Sequence, residues 1–513
     1  MVIRPFGDSA LLVEVESLAD ILSLYERLAE TRPRGVRDLV PAARTVLVHV
    51  DPSVLPLSSA RAWIGGTDAA PRPPAASVPP ADVELAVAYD GADLAETASL
   101  LGLTVDDLVE RHLAARWTVA FTGFAPGFGY LTSEDWDLDV PRRATPRTRV
   151  PRGAVALAGG FTGAYPRETP GGWQLIGTTD APLFDPDAER PVLLRPGTRV
   201  RFRRVAAASV AAAGVLTRPL APRAFTVTDP GALATIQDAG RPGRLAEGIA
   251  LSGAADRPAF AAANRLVGNT PDAAAIEVTV GGFRATASGD LWIAVTGAWG
   301  PIRVAGREVD PYRPQRWPAG TELEIGAFRA GVRALLAVRG GVATHPVLGS
   351  AATDTLAGIG PESLRAGDEI ATSDAARHPV PAVDLWPWTP PPDTIVVPVA
   401  AGPRADWFTP AARRSLLDTR WVVGARADRV GIRLDGPPLE RASDAGSREL
   451  ASEGMLPGAV QVPPDGLPVV LGPDGPVTGG YPVIGVVTAA GRAALAQARP
   501  GSHLLFRSAS PRG

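Results

Sequence analysis

Residues 116–179 read RWTVAFTGFAPGFGYLTSEDWDLDVPRRATPRTRVPRGAVALAGGFTGAYPRETPGGWQLIGTT, and glycine or proline interrupts them every few positions. Proline breaks helices, glycine weakens them, and both favour tight turns. The apolar runs left between the breaks, WTVAF, AVALA and WQLIG, are strand-length and rich in β-branched or aromatic residues. This part of the chain is therefore restricted to short strands joined by turns. Arg142, Arg143, Arg147, Arg149 and Arg152 crowd the same segment. Guanidinium groups beside tight turns suit a carboxylate, phosphate or carbamoyl group.

The pattern recurs. Residues 153–202 contain GAVAL, FTGAYP, WQLIG and RPGTRVRF; residues 458–506 contain GAVQV, VTGGYP, VIGVV and RPGSHLLF. Reuse of Pro-Gly turns accounts for the last motif but not for four motifs in the same order. The chain is expected to carry duplicated β-barrel units. A cleft is expected between them, with arginines from the earlier copy and acidic turns from the later material.

At 513 residues several domains are expected. The 55 glycines and 52 prolines are scattered among apolar runs, which indicates many short strands rather than disorder. A net charge of -3 argues against a nucleic-acid binder that works by phosphate neutralisation. The chain has no cysteine, which excludes disulfides and thiolate chemistry. It has no lysine either, which excludes a Walker lysine, a Schiff base and a biotinylated lysine in this chain. The first residues, MVIRPFGDSALLVEV, lack the apolar core of a signal peptide, and no run approaches a membrane span; a cytoplasmic location is expected.

Four units are expected, at residues 1–75, 81–215, 222–385 and 394–513. The first combines the strands ALLVEV and RTVLVHV with the amphipathic helix LADILSLYERLAE, an α/β pattern. Pro-rich linkers follow at GGTDAAPRPPAASVPPAD, at residues 216–225 and at residues 376–393. His49, in a strand, is expected to be packed or at the surface. His112, at the end of the helix TVDDLVERHLAA, is expected to act as a C-terminal cation, with the rim of the arginine-rich site as the alternative.

The motifs GFAPGFGYL, PRRATPRTRVPRGAVALAGG, TGAYP and PGGWQLIGTT resemble the B subunit of bacterial 5-oxoprolinase, the allophanate hydrolase subunit one family. TIQDAGRPG, SGAADRPAFAAANRLVGN, DRVGIRL, GAVQVPPDGLP and TGGYPVIGVV resemble the matching C subunit. The whole is similar to a fusion of the two, and both halves are similar to the carboxyltransferase region of urea carboxylase. The resemblance implies a mainly β fold with a small α/β N-terminal domain followed by tandem cyclophilin-like β-barrels. The chain departs from the family at LGSAATDTLAG, where LGSRST is usual, and at Ala154, where serine is usual; it also lacks the glutamine that normally precedes TGGYP, with Asp474 as the nearest counterpart of the acidic residue there.

The resemblance implies opening of the 5-oxoproline lactam to glutamate, with ATP (and its Mg2+) and a separate A subunit. Phosphorylating the lactam oxygen would relieve the amide's poor electrophilicity before water attacks, a task for charge clamps more than for a covalent nucleophile. Candidate acid/base residues are Asp238, Asp256, Glu277 and Asp474. Candidate substrate-binding residues are Arg142, Arg147, Arg152 and Arg241, with Thr478, Gly479, Gly480 and Tyr481 forming a turn whose N–H groups face the ligand. The same four acids are candidates for metal work, and no residue is assigned as a metal ligand. Two other functions compete: a carboxyltransferase taking its carboxyl from biotin supplied in trans, and a module that restrains a histidine kinase.

Overall fold

The computed structural model describes residues 1–69, 82–208, 223–382, 384, 389–390, 392–442 and 449–509. The expected linkers at residues 70–81 and 216–222 lie outside these, as do parts of the stretch 376–393. The first linker begins later than its composition suggests, because Gly65 and Gly66 belong to the helix Leu57–Ala69.

The N-terminal unit is a four-stranded antiparallel sheet in the spatial order Val2–Phe6, Ala10–Glu14, Thr45–Val50, Val36–Pro41. Ser17 and Asp20 form a reciprocal cap at the start of the helix Leu18–Glu30, and Ile21, Leu24 and Leu28 line one face of that helix at helical spacing. They pack on Leu11, Val13, Val46 and Val48. The opposite face of the sheet is also covered: Phe6, Ala10, Leu12 and Leu47 pack against Met455, Leu456, Val483 and Val486 near the other end of the chain. This accounts for Thr45–Val50 being buried throughout. The first unit thus docks on the last one. His49 is packed in that strand, and burial depresses its pKa to about 4.

Residues 82–204 form a seven-stranded sheet that begins at Gln174–Thr178 and ends at Asp82–Val87. The bridge between Ala88 and Thr178 joins the two edges and closes the sheet into a barrel. Residues 394–508 form a closed seven-stranded barrel on the same plan. In each barrel the last strand, Arg199–Arg204 or His503–Ser508, runs parallel to the first, Asp82–Val87 or Thr394–Ala401. The motif pairs superpose in role. Ala154–Ala158 pairs with Gln174–Thr178 and Ala459–Gln461 with Val483–Val487, each antiparallel and each with a register shift. Trp117 and Trp421 are both buried, and each indole N–H donates to a carbonyl five residues upstream, on His112 and Leu416. A Cβ on Gly91 or on Gly402 would come within 2.3 Å of the carbonyl oxygen of Leu175 or Val483, so both positions require glycine for the same reason.

Between the barrels, residues 223–372 form a six-stranded and a five-stranded sheet. They pack around Phe225, Ile276, Phe283, Val295, Trp317 and Leu336. The chain turns from one sheet to the other at Gly231, and the bridge between Val342 and Thr372 joins the two sheets again. The φ of Gly231 is +68°, and a Cβ there would lie 2.3 Å from the Gly281 carbonyl oxygen. Register shifts at residues 223/225 and 227/229 bend the strand that leads into this corner.

Candidate functional site

The two barrels face each other. Gly123, in the GFAPGFG turn of the first, lies so close to Thr478 of the second that a Cβ on it would fall 1.9 Å from the Thr478 hydroxyl oxygen. Beside this contact opens a cleft of about 1330 Å3. One wall comes from the first barrel, with Phe121, Phe124, Tyr130, Arg142, Phe161 and Arg167; the other comes from the last, with Gln461, Asp474 and the turn Thr478, Gly479, Gly480 and Tyr481. The loop carrying Asp354, Leu356 and Ala357 enters from the middle unit. Phe124, Leu356 and Tyr481 are 39%, 38% and 45% exposed, so large apolar groups face open space here. Phe124 also holds a φ of 65°, uncommon for a non-glycine residue.

Arg429 joins the middle unit to the last barrel. Its Nη1 donates to Glu277 Oε1 at 2.6 Å, its Nε and Nη2 to the two oxygens of Asp474 at 2.8 Å each, and its Nη2 also to the Gly253 carbonyl at 2.8 Å. Burial alone would lower the pKa of Arg429, but the carboxylates of Glu277 and Asp474 more than offset this and raise it. The Thr355 N–H and hydroxyl donate to Asp474 Oδ2 at 3.0 and 2.8 Å. Asp474 is thus a rigid, fully bonded acid at the edge of the cleft.

The expected site residues divide. Arg142, Asp474, Thr478, Gly479, Gly480 and Tyr481 line the cleft together. Arg147 and Arg152 do not line it, and neither do Arg241, Asp238, Asp256 and Glu277. Arg147 turns into its own barrel and donates to Asp93 Oδ1 at 2.6 Å, beside Arg143 at 2.8 Å. Asp93 is buried, which disfavours its ionisation, yet Arg147, the Leu175 N–H and Arg143 together hold its pKa below the usual carboxylate range. Arg152 sits on the turn before Ala154–Ala158. Arg241 is buried and donates to the carbonyls of Val347 and Ala352. Asp238 accepts from the Ser350 hydroxyl and the Ala351 N–H at 2.6 Å each, so Asp238 and Arg241 together pin the LGSAA loop.

Asp256 caps the helix Arg257–Leu266 and accepts from Gln497 Nε2 at 2.7 Å. Glu277 is occupied by Arg429 and the Ala255 N–H. In these places the acids hold elements together, which is the usual fate of a buried carboxylate that finds donors. Thr478 and Gly479 pair with Glu453–Gly454 in a short ladder. Their backbone is therefore engaged in that pairing, and the turn presents the Tyr481 ring to the cleft. His112 is no cation: it lies between Tyr89 and Thr162, and burial depresses its pKa to about 3.

Sequence reasoning missed Asp354, Arg167 and Arg441, which also line the cleft. Arg167 Nη2 donates to the Leu356 carbonyl at 2.5 Å, tying the middle-unit loop to the first barrel. Asp354 Oδ1 accepts from the N–H groups of Leu356 and Ala357 at 3.0 and 2.7 Å. Burial, and then the neighbouring Asp474, push the Asp354 pKa up to about 6. The only available signal was the unusual reading LGSAATDTLAG, which contains it. Among the described residues no group of three or more His, Cys, Asp or Glu converges as a metal cage, and no helix is long and apolar enough to cross a membrane.

Residues 1–194 match the family model described as carboxyltransferase domain, subdomain C and D, and residues 247–508 match that for subdomain A and B. The chain is 36% identical over 285 residues to the C subunit of 5-oxoprolinase from Escherichia coli (strain K12), covering 54% of this chain and 88% of that one. It is 51% identical over 123 residues to the B subunit of 5-oxoprolinase from Escherichia coli O157:H7, covering 23% of this chain and 56% of that one. It is 31% identical over 308 residues to urea amidolyase of Lachancea kluyveri, covering 56% of this chain but 17% of that one. The crystal structure of TTHA0988 superposes with a TM-score of 0.86 at 35% identity, over 99% of this chain and 100% of that one. The chain belongs to the carboxyltransferase-domain family and joins, in one polypeptide, the units found elsewhere as the separate B and C subunits of 5-oxoprolinase.

Proposed function

We propose that this chain is the fused B–C component of an ATP-dependent 5-oxoprolinase and opens the 5-oxoproline lactam to glutamate together with an A-type subunit. The observation that carries the reading is the cleft itself, since its walls come one from each family unit. Arg142, Arg167 and Arg441 supply positive charge for the substrate carboxylate or a phosphoryl group. Phe124, Leu356 and Tyr481 would cover the ring and exclude water around it. The cleft fits an anionic organic ligand. In the proposed complex ATP and its Mg2+ act together with the A subunit, and the cytoplasm is the expected setting. In this division of labour the partner activates the lactam oxygen, and the residues here hold the ring and carboxylate in place while water attacks.

The test is reconstitution with an A subunit, following glutamate release from 5-oxoproline with and without ATP. ATP-dependent release is expected; a complex that assembles but does not turn over refutes the reading. The similarity to urea amidolyase favours a second reading, carboxyl transfer with biotin supplied in trans. Saturable binding of a biotinylated carrier peptide, with no 5-oxoproline turnover, would select it.

A further inference from the structure

Asp354 is the most unusual polar group of the cleft. It is 1% exposed and lines the cleft wall. One carboxyl oxygen, Oδ1, accepts two backbone N–H groups, while Oδ2 is buried and has no hydrogen-bond partner among the described residues. An unmet buried acceptor forfeits its hydration without return, and in native proteins such atoms are normally satisfied by water or by a ligand. The charged groups around it come from every neighbouring element. Asp474, though paired with Arg429, still adds negative charge; Arg241 and, on the first barrel, Arg167 add positive charge. A ligand drawn in by the arginines is an anion, and an anion can approach an unpaired carboxylate only by presenting a donor to it.

We propose that Asp354 Oδ2 is the acceptor for an amide N–H of the substrate, so that the cleft selects molecules carrying both a carboxylate and an amide N–H on a compact frame. The assignment rests on the 5-oxoproline reading, whose lactam ring has both groups. It makes Asp354 the specificity determinant that distinguishes a lactam from the isosteric lactone, where ring oxygen replaces N–H. A site built around a substrate donor strongly rejects the analogue that lacks it, because its own polar group is then left unpaired. Acidification should weaken lactam binding as Asp354 takes up a proton near pH 6 and stops being a pure acceptor. The ligand carboxylate stays ionised throughout that range.

The experiment is calorimetric titration of the complex with the A subunit, using 5-oxoproline and its lactone analogue at pH 7.5 and pH 5, for the native chain, D354N and D354A. In the native complex the lactam is expected to bind at least about tenfold more tightly than the lactone at pH 7.5, with the gap narrowing at pH 5. D354N keeps an acceptor for the two backbone N–H groups and should fold normally; its lactam affinity should be independent of pH over this range. D354A should abolish the preference. A native preference that survives with the same pH dependence in D354N overturns the role of Asp354 and leaves the substrate reading intact. A native complex that binds neither compound overturns the substrate reading and this assignment with it.

Discussion

Replacing Arg429 with methionine removes the guanidinium that serves two buried acids at once. The side chain of Arg429 is 2% exposed, and those of Glu277 and Asp474 are fully buried. Methionine fills much of the volume, so the loss is mainly electrostatic. Removing one partner of a buried ion pair typically costs about 3–5 kcal/mol, because a charge is left without compensation. Asp474 then keeps only the Thr355 donors, while Glu277 keeps the Ala255 N–H and the Arg333 guanidinium at 3.6 Å. The cost should therefore fall within that range, a large share of a typical total stability of about 5–15 kcal/mol. Calorimetry and urea unfolding monitored by tryptophan fluorescence will show it as an earlier transition of the middle unit and last barrel. The double variant R429M/D474N separates the causes. It lacks the arginine and its Asp474 partner but keeps Arg333 beside Glu277, so no charge is stranded and it should recover most of the loss. A loss below about 1 kcal/mol, or a double variant no more stable than the single one, would refute the view that these acids are structural.

Gly123→Ala should force Thr478 aside, costing about 1–3 kcal/mol by overpacking and reducing turnover by distorting the cleft; G123A/T478G should restore both thermal midpoint and rate if the 1.9 Å approach is the cause. His112 stays neutral in the fold with its pKa depressed to about 3, against an unfolded value near 6.5. Its contribution is present above pH 6.5 and is lost progressively as pH falls towards 3, at most about 5 kcal/mol, so urea midpoints measured from pH 7 to pH 4 should fall less steeply in H112N. Arg142→Ala, at an exposed position on the cleft wall, should weaken 5-oxoproline binding about tenfold in the reconstituted complex while leaving the thermal midpoint within a degree or two of native.

The barrel plan was legible because its signals are local. Gly and Pro spacing limits strand length, and repetition of GAVxx, TGxYP and xIGxx in one order reveals the duplication before any contact is known. The TGGYP turn and Arg142 could be placed in the cleft for the same reason, since each lies at a loop end that the barrel plan directs to one side. Partners distant in sequence were not legible. Arg147 reads as a free guanidinium until Asp93, fifty-four positions away, is found beneath it. Glu277 reads as a candidate acid/base residue until Arg429, 152 positions away, meets it. Asp354 could not be singled out at all, because what marks it is an oxygen that lacks a partner, and sequence shows residues rather than vacant acceptors.

The two barrels also show how a duplicated position acquires different work. The N–H of Asp93 donates to the Leu175 carbonyl, and the N–H of Arg404 donates to the Val483 carbonyl, which places both residues at one site of the shared plan, two positions after the glycine that packs on that strand. Both side chains are buried, but their charges are opposite. Asp93 turns inwards and draws Arg143 and Arg147 onto its own barrel. Arg404 reaches outwards: it is held by Glu453 and, at 3.2 Å, by Glu14 of the N-terminal sheet. The acidic version therefore ties two half-buried arginines to the first barrel, and the basic version fastens the N-terminal unit to the last. That fastening lies next to Glu453–Gly454, the strand that pairs with Thr478–Gly479 at the cleft. A charge reversal at one inherited position thus couples the docking of the first unit to the turn that shapes the site, which gives a physical reason for the chain's two ends to be packed together rather than left as independent domains.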